Sequence, residues 1–126
     1  MEGQGEVEFL NSTLGSVEVD WRSRAGETEG KTSPEELIAA AHSACYSMAL
    51  SHALAGNGTP PEAVDTKADV TFVAGEGITG IKLTVRAAVP DLSAEDFAKF
   101  AEAAKTGCPV SAALTGTTIE LDASLV

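Results

Sequence analysis

The two cysteines are the residues of this 126-residue chain with the most distinctive chemistry. Cys45 lies in the run between Glu36 and Glu62, where the sequence has no Asp, Glu, Lys or Arg. A free cysteine is commonly a small buried apolar residue, and burial alone would raise the pKa of its thiol and make it inert. A reactive Cys45 would need a cation, and the nearest candidates are Arg24 and Arg22, held in place by a carboxylate.

Cys108 has a different setting, because it directly precedes Pro109 at the start of a predicted short helix. Free backbone N–H groups and the helix dipole favour a thiolate at such a position, so physical argument alone makes Cys108 the better nucleophile. A plain N-cap role is the alternative. Two cysteines are too few for a disulfide scaffold, and these two are too far apart for a Cys-x-x-Cys pair. If they act together, the fold must bring them together.

The two histidines raise the question of a metal site. His42 precedes Cys45 by three residues, so the two share a helix face and could form an imidazole–thiol pair or two metal ligands. His52 and Cys108 would complete a zinc site only by chance geometry, since no paired ligand spacing supports it. The favoured interpretation is a satisfied core histidine, and the sequence predicts no metal and no cofactor. It contains no Ser-His-Asp order, phosphate loop or dinucleotide fingerprint.

Composition limits the partners. The length predicts one domain over residues 1–126. A formal charge of -11 with only 8 basic residues argues against nucleic acid and against an anionic membrane surface. The segment from Met1 to Glu6 has no basic leader and no apolar core, which predicts a cytoplasmic protein. The uncharged run contains scattered Ser and His residues and ends abruptly at Gly56, so it predicts a buried helix and not a membrane span.

Three signals open that helix: Ser33 as N-cap, Pro34 at the first position and Glu36 as the acid of a capping box. Gly56 ends it. Its apolar residues point in every direction, which is typical of a helix covered all round. A lone domain this small would struggle to cover it, so we expect a homodimer.

The remaining elements predict an α+β fold with antiparallel sheets, in the order ββ-α-ββ-αα-β. A polar loop from Arg22 to Thr32 joins the first hairpin to the central helix and is a plausible place for function. The predicted strands are Glu6–Leu10, Val17–Trp21, Val64–Phe72, Ile81–Val89 and a last one through Ile119 and Ala123, and the later helices follow Ser93 and Cys108.

Two segments resemble a known family. They are SPEELIAAAHSACYSMAL, from Ser33 to Leu50, and GCPVS, from Gly107 to Ser111, followed by Ala112 and Leu114. They are similar to the osmotically inducible protein C and organic hydroperoxide resistance family of thiol peroxidases. The match runs over most of the chain, and the wording EELIAAAH looks more like the osmotically inducible, OsmC-like branch.

The resemblance implies a two-cysteine peroxidase with Cys45 as the peroxidatic thiolate and Cys108 as the resolving thiol. Glu35 matches the family's glutamate and Arg24 best matches its arginine, with Arg22 as the alternative. The family fold is an intertwined homodimer whose central helices are wrapped by antiparallel sheets. The implied substrates are organic hydroperoxides and also hydrogen peroxide, and the implied reductants are external dithiols, including lipoylated proteins. A redox-sensing or ligand-binding dimer without turnover, and a structural or metal-binding protein, are the competing hypotheses.

Glu35 and Cys45 are ten positions apart, which is roughly 15 Å of rise along a straight helix. They cannot meet within it. We therefore expect that Glu35 acts from the partner chain, or that the helix bends or breaks between them.

Overall fold

The computed structural model describes residues 2–26 and 29–126. These ranges contain five strands and four helices, and the α+β prediction is confirmed. In chain order the elements are β1 (Gln4–Phe9), β2 (Gly15–Asp20), α1 (Trp21–Arg24), α2 (Pro34–Gly56), β3 (Ala63–Val73), β4 (Gly77–Ala88), α3 (Ala94–Gly107), α4 (Pro109–Ala113) and β5 (Thr118–Leu125).

β1 and β2 form an antiparallel hairpin that is a separate two-stranded sheet. β2 ends one residue earlier than predicted, because Asp20 caps a helical turn that begins at Trp21. The Asp20 carboxylate accepts hydrogen bonds from the backbone N–H of Ser23 at 2.8 Å and from its hydroxyl at 2.7 Å. The predicted polar loop therefore starts with the helical turn α1, while its residues 27–28 lie outside the described ranges.

The predicted start of the central helix is confirmed. The Ser33 hydroxyl accepts a hydrogen bond from the Glu36 backbone N–H at 3.1 Å, and Pro34 is the first helical residue. The Glu36 carboxylate accepts from the Thr32 hydroxyl, so the carboxylate half of the predicted capping box has a different partner. α2 then runs without interruption to Gly56, with Asn57 as its C-cap. None of the helices in the described ranges is long and apolar enough to span a membrane.

The second sheet has the order β3-β4-β5. β3 and β4 form the predicted antiparallel hairpin, whereas β5 lies parallel to β4. The expectation of purely antiparallel sheets is wrong for this pair. The connection from β4 to β5 passes through α3 and α4 and brings the chain back to the starting end of β4, which is the kind of crossover that parallel strands require.

The core lies between this sheet and the helices α2 and α3. Its fully buried members come from one face of each element, and they are Tyr46, Leu50 and Leu54 of α2, Leu83, Val85 and Ala87 of β4, and Phe97 and Ala101 of α3. The opposite face of α2 is exposed within one chain, and Met48 on that face is 73% exposed. One chain therefore covers only one side of the central helix.

Candidate active site

The structure brings the two cysteines together. Cys45 lies on α2 and is partly buried, and Cys108 is the fully buried N-cap residue of α4. The segment between them contains β3, β4 and α3. Both are free thiols, and they lie close enough for each to shift the pKa of the other.

The two sulfurs have opposite electrostatic environments. Burial raises the pKa of Cys45, and its contact with Cys108 raises it further. The backbone N–H of Val110 acts in the opposite direction and lowers the pKa. Burial also acts to raise the pKa of Cys108, but hydrogen bonds from Cys45, from Ser111 and from the Val110 backbone outweigh it and lower the pKa below its ordinary value. Within one chain, Cys108 is therefore the more acidic of the two thiols, as the helix-start argument from the sequence predicts.

Arg24 and Glu35, both predicted site residues, form a second pair of side chains. The Arg24 Nε donates a hydrogen bond to Glu35 Oε1 at 2.8 Å, and Glu35 is only 6% exposed. The guanidinium carbon lies 5.1 Å from the centre of the Trp21 ring and 4.5 Å from that of Phe72. These rings meet edge to face with centroids 6.5 Å apart, so two aromatic faces and one carboxylate orient the arginine.

The arginine pair and the thiol pair are separate within one chain. No hydrogen bond or ion pair of the described residues joins Arg24 or Glu35 to either sulfur. Because α2 is unbroken, the expectation of a break between Glu35 and Cys45 is wrong, and their separation along the helix stays roughly 15 Å. One chain therefore contains both parts of the predicted site, the arginine pair and the thiol pair, but it places them apart.

Arg22, the alternative arginine, has other surroundings. It is exposed and lines a cleft of about 510 Å³ together with Asp20, Glu29 and Lys31. Arg24 instead lines an open, mainly apolar cleft of about 380 Å³ with Trp21 and residues of both strands of the hairpin. The carboxylate of Glu35 thus holds Arg24, which the sequence alone could not decide.

His42 does not form the imidazole–thiol pair with Cys45 that the spacing allowed. It is fully buried, and its Nε2 lies 2.7 Å from the hydroxyl oxygen of Ser111, while Nδ1 has no hydrogen-bond partner among residues 2–26 and 29–126. Burial lowers the pKa of His42, so the imidazole is neutral. His52 is exposed, and no three His, Cys, Asp or Glu residues within the described ranges are placed to hold a metal ion together.

Sequence reasoning missed Ser111 as a functional residue. Its signal was its position three residues after Cys108, which places its hydroxyl and its backbone N–H on the first turn of α4, next to the sulfur. Its contact with His42 joins residues 69 positions apart and could not be found from local spacing.

Comparison with known proteins tests the resemblance. The family model described as OsmC-like protein matches residues 26–122 of this chain. The chain belongs to the OsmC-like protein family. Peroxiredoxin OsmC of Escherichia coli strain K12 is 44% identical over 115 residues, which cover 89% of this chain and 80% of that protein. The organic hydroperoxide resistance protein-like 2 of Staphylococcus epidermidis is 30% identical over 97 residues, covering 75% of this chain and 68% of its own length.

Solved structures agree on the OsmC-like fold. The OsmC-like protein from Mycoplasma pneumoniae has a TM-score of 0.74 at 14% identity, covering 98% of this chain and 96% of that one. The organic hydroperoxide resistance protein OhrB of Bacillus subtilis has a TM-score of 0.69 at 22% identity, with the same coverage. The mixed sheet with its parallel last strand is therefore part of an OsmC-like architecture, and the resemblance found in the two sequence motifs is confirmed.

Proposed function

We propose that this protein is a cysteine-based peroxidase that reduces organic hydroperoxides and also hydrogen peroxide, with Cys45 as the peroxidatic residue and Cys108 as the resolving residue. The observation that carries the proposal is the proximity of these two free thiols, whose ionisations are linked. A peroxidase-type function is further supported by relatives that are named peroxiredoxin and organic hydroperoxide resistance protein.

The reaction has two steps on the enzyme. The Cys45 thiolate attacks the terminal oxygen of the hydroperoxide, the O–O bond breaks, and the departing alkoxide takes a proton to leave as an alcohol. Cys45 is now a sulfenic acid. The Cys108 thiolate attacks its sulfur, an S–S bond forms, and the displaced hydroxide takes a proton to leave as water. The peroxide has gained two electrons, and the two thiols have lost them.

An external dithiol then reduces the Cys45–Cys108 disulfide by exchange. The proposed reductants are small dithiols and lipoylated proteins, in the cytoplasmic setting that the sequence predicts. Hydroperoxides are neutral, so the formal charge of -11 presents no electrostatic barrier to these substrates.

The proposed active form is a homodimer in which Arg24 and Glu35 of one protomer act on Cys45 of the other. Three observations support this arrangement. The arginine pair lies away from the sulfurs of its own chain, the β1–β2 hairpin is too small a sheet to be stable without further packing, and α2 exposes an apolar face around Met48. Arg24 would then stabilise the Cys45 thiolate and the charge on the departing oxygen.

The proposed dimer also explains which thiol reacts first. Within one chain, the hydrogen-bond donors around Cys108 make it the more acidic of the two thiols. A guanidinium brought close to Cys45 favours the charged form of that sulfur and opposes the effect of burial. The order of the two thiols therefore depends on the partner's arginine.

Two variants test the order. Cys45→Ser should abolish peroxide consumption, while Cys108→Ser should still consume about one equivalent and leave an oxidised Cys45. The reverse result would make Cys108 the peroxidatic thiol and would contradict the proposal.

A redox sensor is the second candidate, because the two neighbouring thiols could form a disulfide on oxidation without sustained turnover. Steady-state peroxide consumption with a dithiol separates the two. Disulfide formation without sustained turnover would identify a sensor, whereas turnover would identify a peroxidase.

A further inference from the structure

A row of buried polar groups runs from α2 to the resolving thiol. His42 and Cys108 are fully buried, and Ser111 between them is 3% exposed. The His42 Nε2 lies 2.7 Å from the Ser111 hydroxyl oxygen, and Ser111 lies on the short helix α4 that begins at Cys108, where its hydroxyl acts to lower the pKa of that thiol. Buried polar groups destabilise the folded state unless they are paired. Placing this row in the core beside a reactive sulfur therefore costs folding free energy.

The chemistry of these groups fixes the direction of the hydrogen bonds. A thiolate can only accept, so the Ser111 hydroxyl must donate to the Cys108 sulfur. The Ser111 oxygen must then accept from His42, which places the imidazole proton on Nε2 and leaves Nδ1 as a bare acceptor. Nδ1 has no partner in the structure, which agrees with this tautomer because a buried N–H there would be left without an acceptor.

We infer that His42 is a positioning residue for the resolving step: through Ser111 it holds Cys108 as a thiolate directed at Cys45. The inference rests on the proposed two-cysteine reaction. It differs from the satisfied core histidine that the sequence favoured, because a residue that only fills the core would leave the ionisation of Cys108 unchanged.

The other groups around Cys108 leave the stabilisation of its thiolate to the row of His42 and Ser111. The titratable groups that face Cys108 are Cys45 and Tyr46, and both lie on α2. The Tyr46 hydroxyl donates its hydrogen bond to the Ala101 carbonyl oxygen at 2.9 Å. Burial raises the pKa of Tyr46, and the negative charge of the Glu102 carboxylate, on α3, raises it further. The groups that lower the pKa of Cys108 are hydrogen-bond donors and not cations: the Cys45 thiol first, then the Ser111 backbone N–H, the Ser111 hydroxyl and the Val110 backbone N–H.

Titration of Cys108 by its thiolate absorbance, in a Cys45→Ser background, tests the inference directly. Ser111→Ala and His42→Leu should each raise the pKa of Cys108, since each interrupts the row. His42→Gln should keep the parent titration, because its amide N–H can replace the Nε2 donor but cannot titrate. Combining Ser111→Ala with His42→Leu should add nothing to Ser111→Ala alone, because the two groups act in series.

The rates give a second readout with both cysteines present. His42→Leu and Ser111→Ala should slow disulfide formation about tenfold, the effect of losing one hydrogen bond to a charged group. Formation of the Cys45 sulfenic acid should not slow, since the row ends at the other sulfur and a protonated Cys108 no longer opposes the Cys45 thiolate. Thermal unfolding checks that each variant is folded. If His42→Leu fails to fold, the single variants Ser111→Ala and His42→Gln decide the role of His42.

Unchanged titration of Cys108 in Ser111→Ala would overturn the inference, as would a His42→Gln protein that titrates like His42→Leu. Equal slowing of both chemical steps would indicate a merely structural residue and would also overturn it. If no protein reacts with peroxide, the proposed function fails, but the titration still decides the role of His42.

Discussion

Arg24 and Glu35 form an ion pair at 2.8 Å that is nearly closed to solvent on the carboxylate side. The Trp21 and Phe72 rings lie within 5.1 and 4.5 Å of the guanidinium carbon, so the arginine head group is held by contacts from three elements. Such a guanidinium is oriented before any substrate arrives. The second carboxylate oxygen, Glu35 Oε2, is buried without a hydrogen-bond partner in the described chain, which leaves it available to a group from another protomer.

Glu35→Gln should lower the peroxidase rate by about tenfold to a hundredfold, because the neutral amide no longer fixes the charged guanidinium. Removing one partner of a largely buried ion pair should also cost about 1–2 kcal/mol of unfolding free energy, a reduced figure because the Arg24 side chain is 26% exposed. Peroxide consumption and denaturant unfolding measure the two effects. Glu36→Gln is the matched control on the exposed side of the same helical turn, and a similar loss there would contradict the prediction.

Arg24→Ala should lower the peroxidase rate far more than Arg22→Ala, since Arg24 is the arginine that Glu35 orients. The expected loss for Arg24→Ala is about a hundredfold or more, comparable with removing a preorganised charge from a reaction centre. Steady-state rates at matched protein concentration give the comparison. Equal losses in the two variants, or a larger loss in Arg22→Ala, would shift the role to Arg22.

Mixing two inactive proteins tests whether the arginine acts across the dimer. After subunit exchange between Arg24→Ala and Cys45→Ser proteins, about half of the dimers are mixed, and each has one site with an intact Cys45 facing an intact Arg24 from its partner. The expected rate is about a quarter of the parent rate. If both residues act within one chain, no site is complete and the mixture stays inactive.

Met48→Lys should convert the proposed dimer to monomers and reduce peroxidase activity with it, because a charge on this exposed apolar face cannot be buried against a second copy. Analytical ultracentrifugation measures the assembly. Met48→Leu should remain dimeric, and Ala103→Lys, on an exposed position of α3, should as well. A dimeric Met48→Lys protein would place the interface elsewhere.

His42 should make the protein sensitive to acid. The unfolded imidazole keeps its ordinary pKa of 6.5, whereas burial lowers the folded one, so the folded protein binds fewer protons. Its contribution to stability is complete above pH 6.5 and is lost as the pH falls through the folded pKa. Unfolding free energies of the parent should therefore fall more steeply below pH 6.5 than those of His42→Gln, and parallel curves would exclude this source of acid sensitivity.

Local chemistry made much of the fold predictable. The hydroxyl of Ser33 and the ring of Pro34 determine where α2 begins, and alternating side chains mark the β3–β4 hairpin, so both could be found from neighbouring residues. Trp21 was assigned to a strand because it continues the alternation of Val17 and Val19. The carboxylate of Asp20 overrides that pattern by capping a helical turn.

Long-range relationships could not be predicted in the same way. The parallel direction of β5 depends on how α3 and α4 pack, and the pairing of Glu35 with Arg24 rather than Arg22 depends on how α1 is oriented. The link from His42 to Ser111 joins two helices that no sequence period connects. The cysteines were identifiable by residue type, while their mutual contact required the tertiary structure.

The contact between Cys45 and Cys108 encloses β3, β4 and α3 within one stretch of chain. A bond between these sulfurs would tie off a loop of roughly 60 residues and, by restricting the unfolded chain, would stabilise the folded state by about 4 kcal/mol. Each catalytic cycle would then alternate between a core without this cross-link and a core that contains it. The protein would resist heat and proteolysis best at the moment when oxidant is abundant and reductant is scarce.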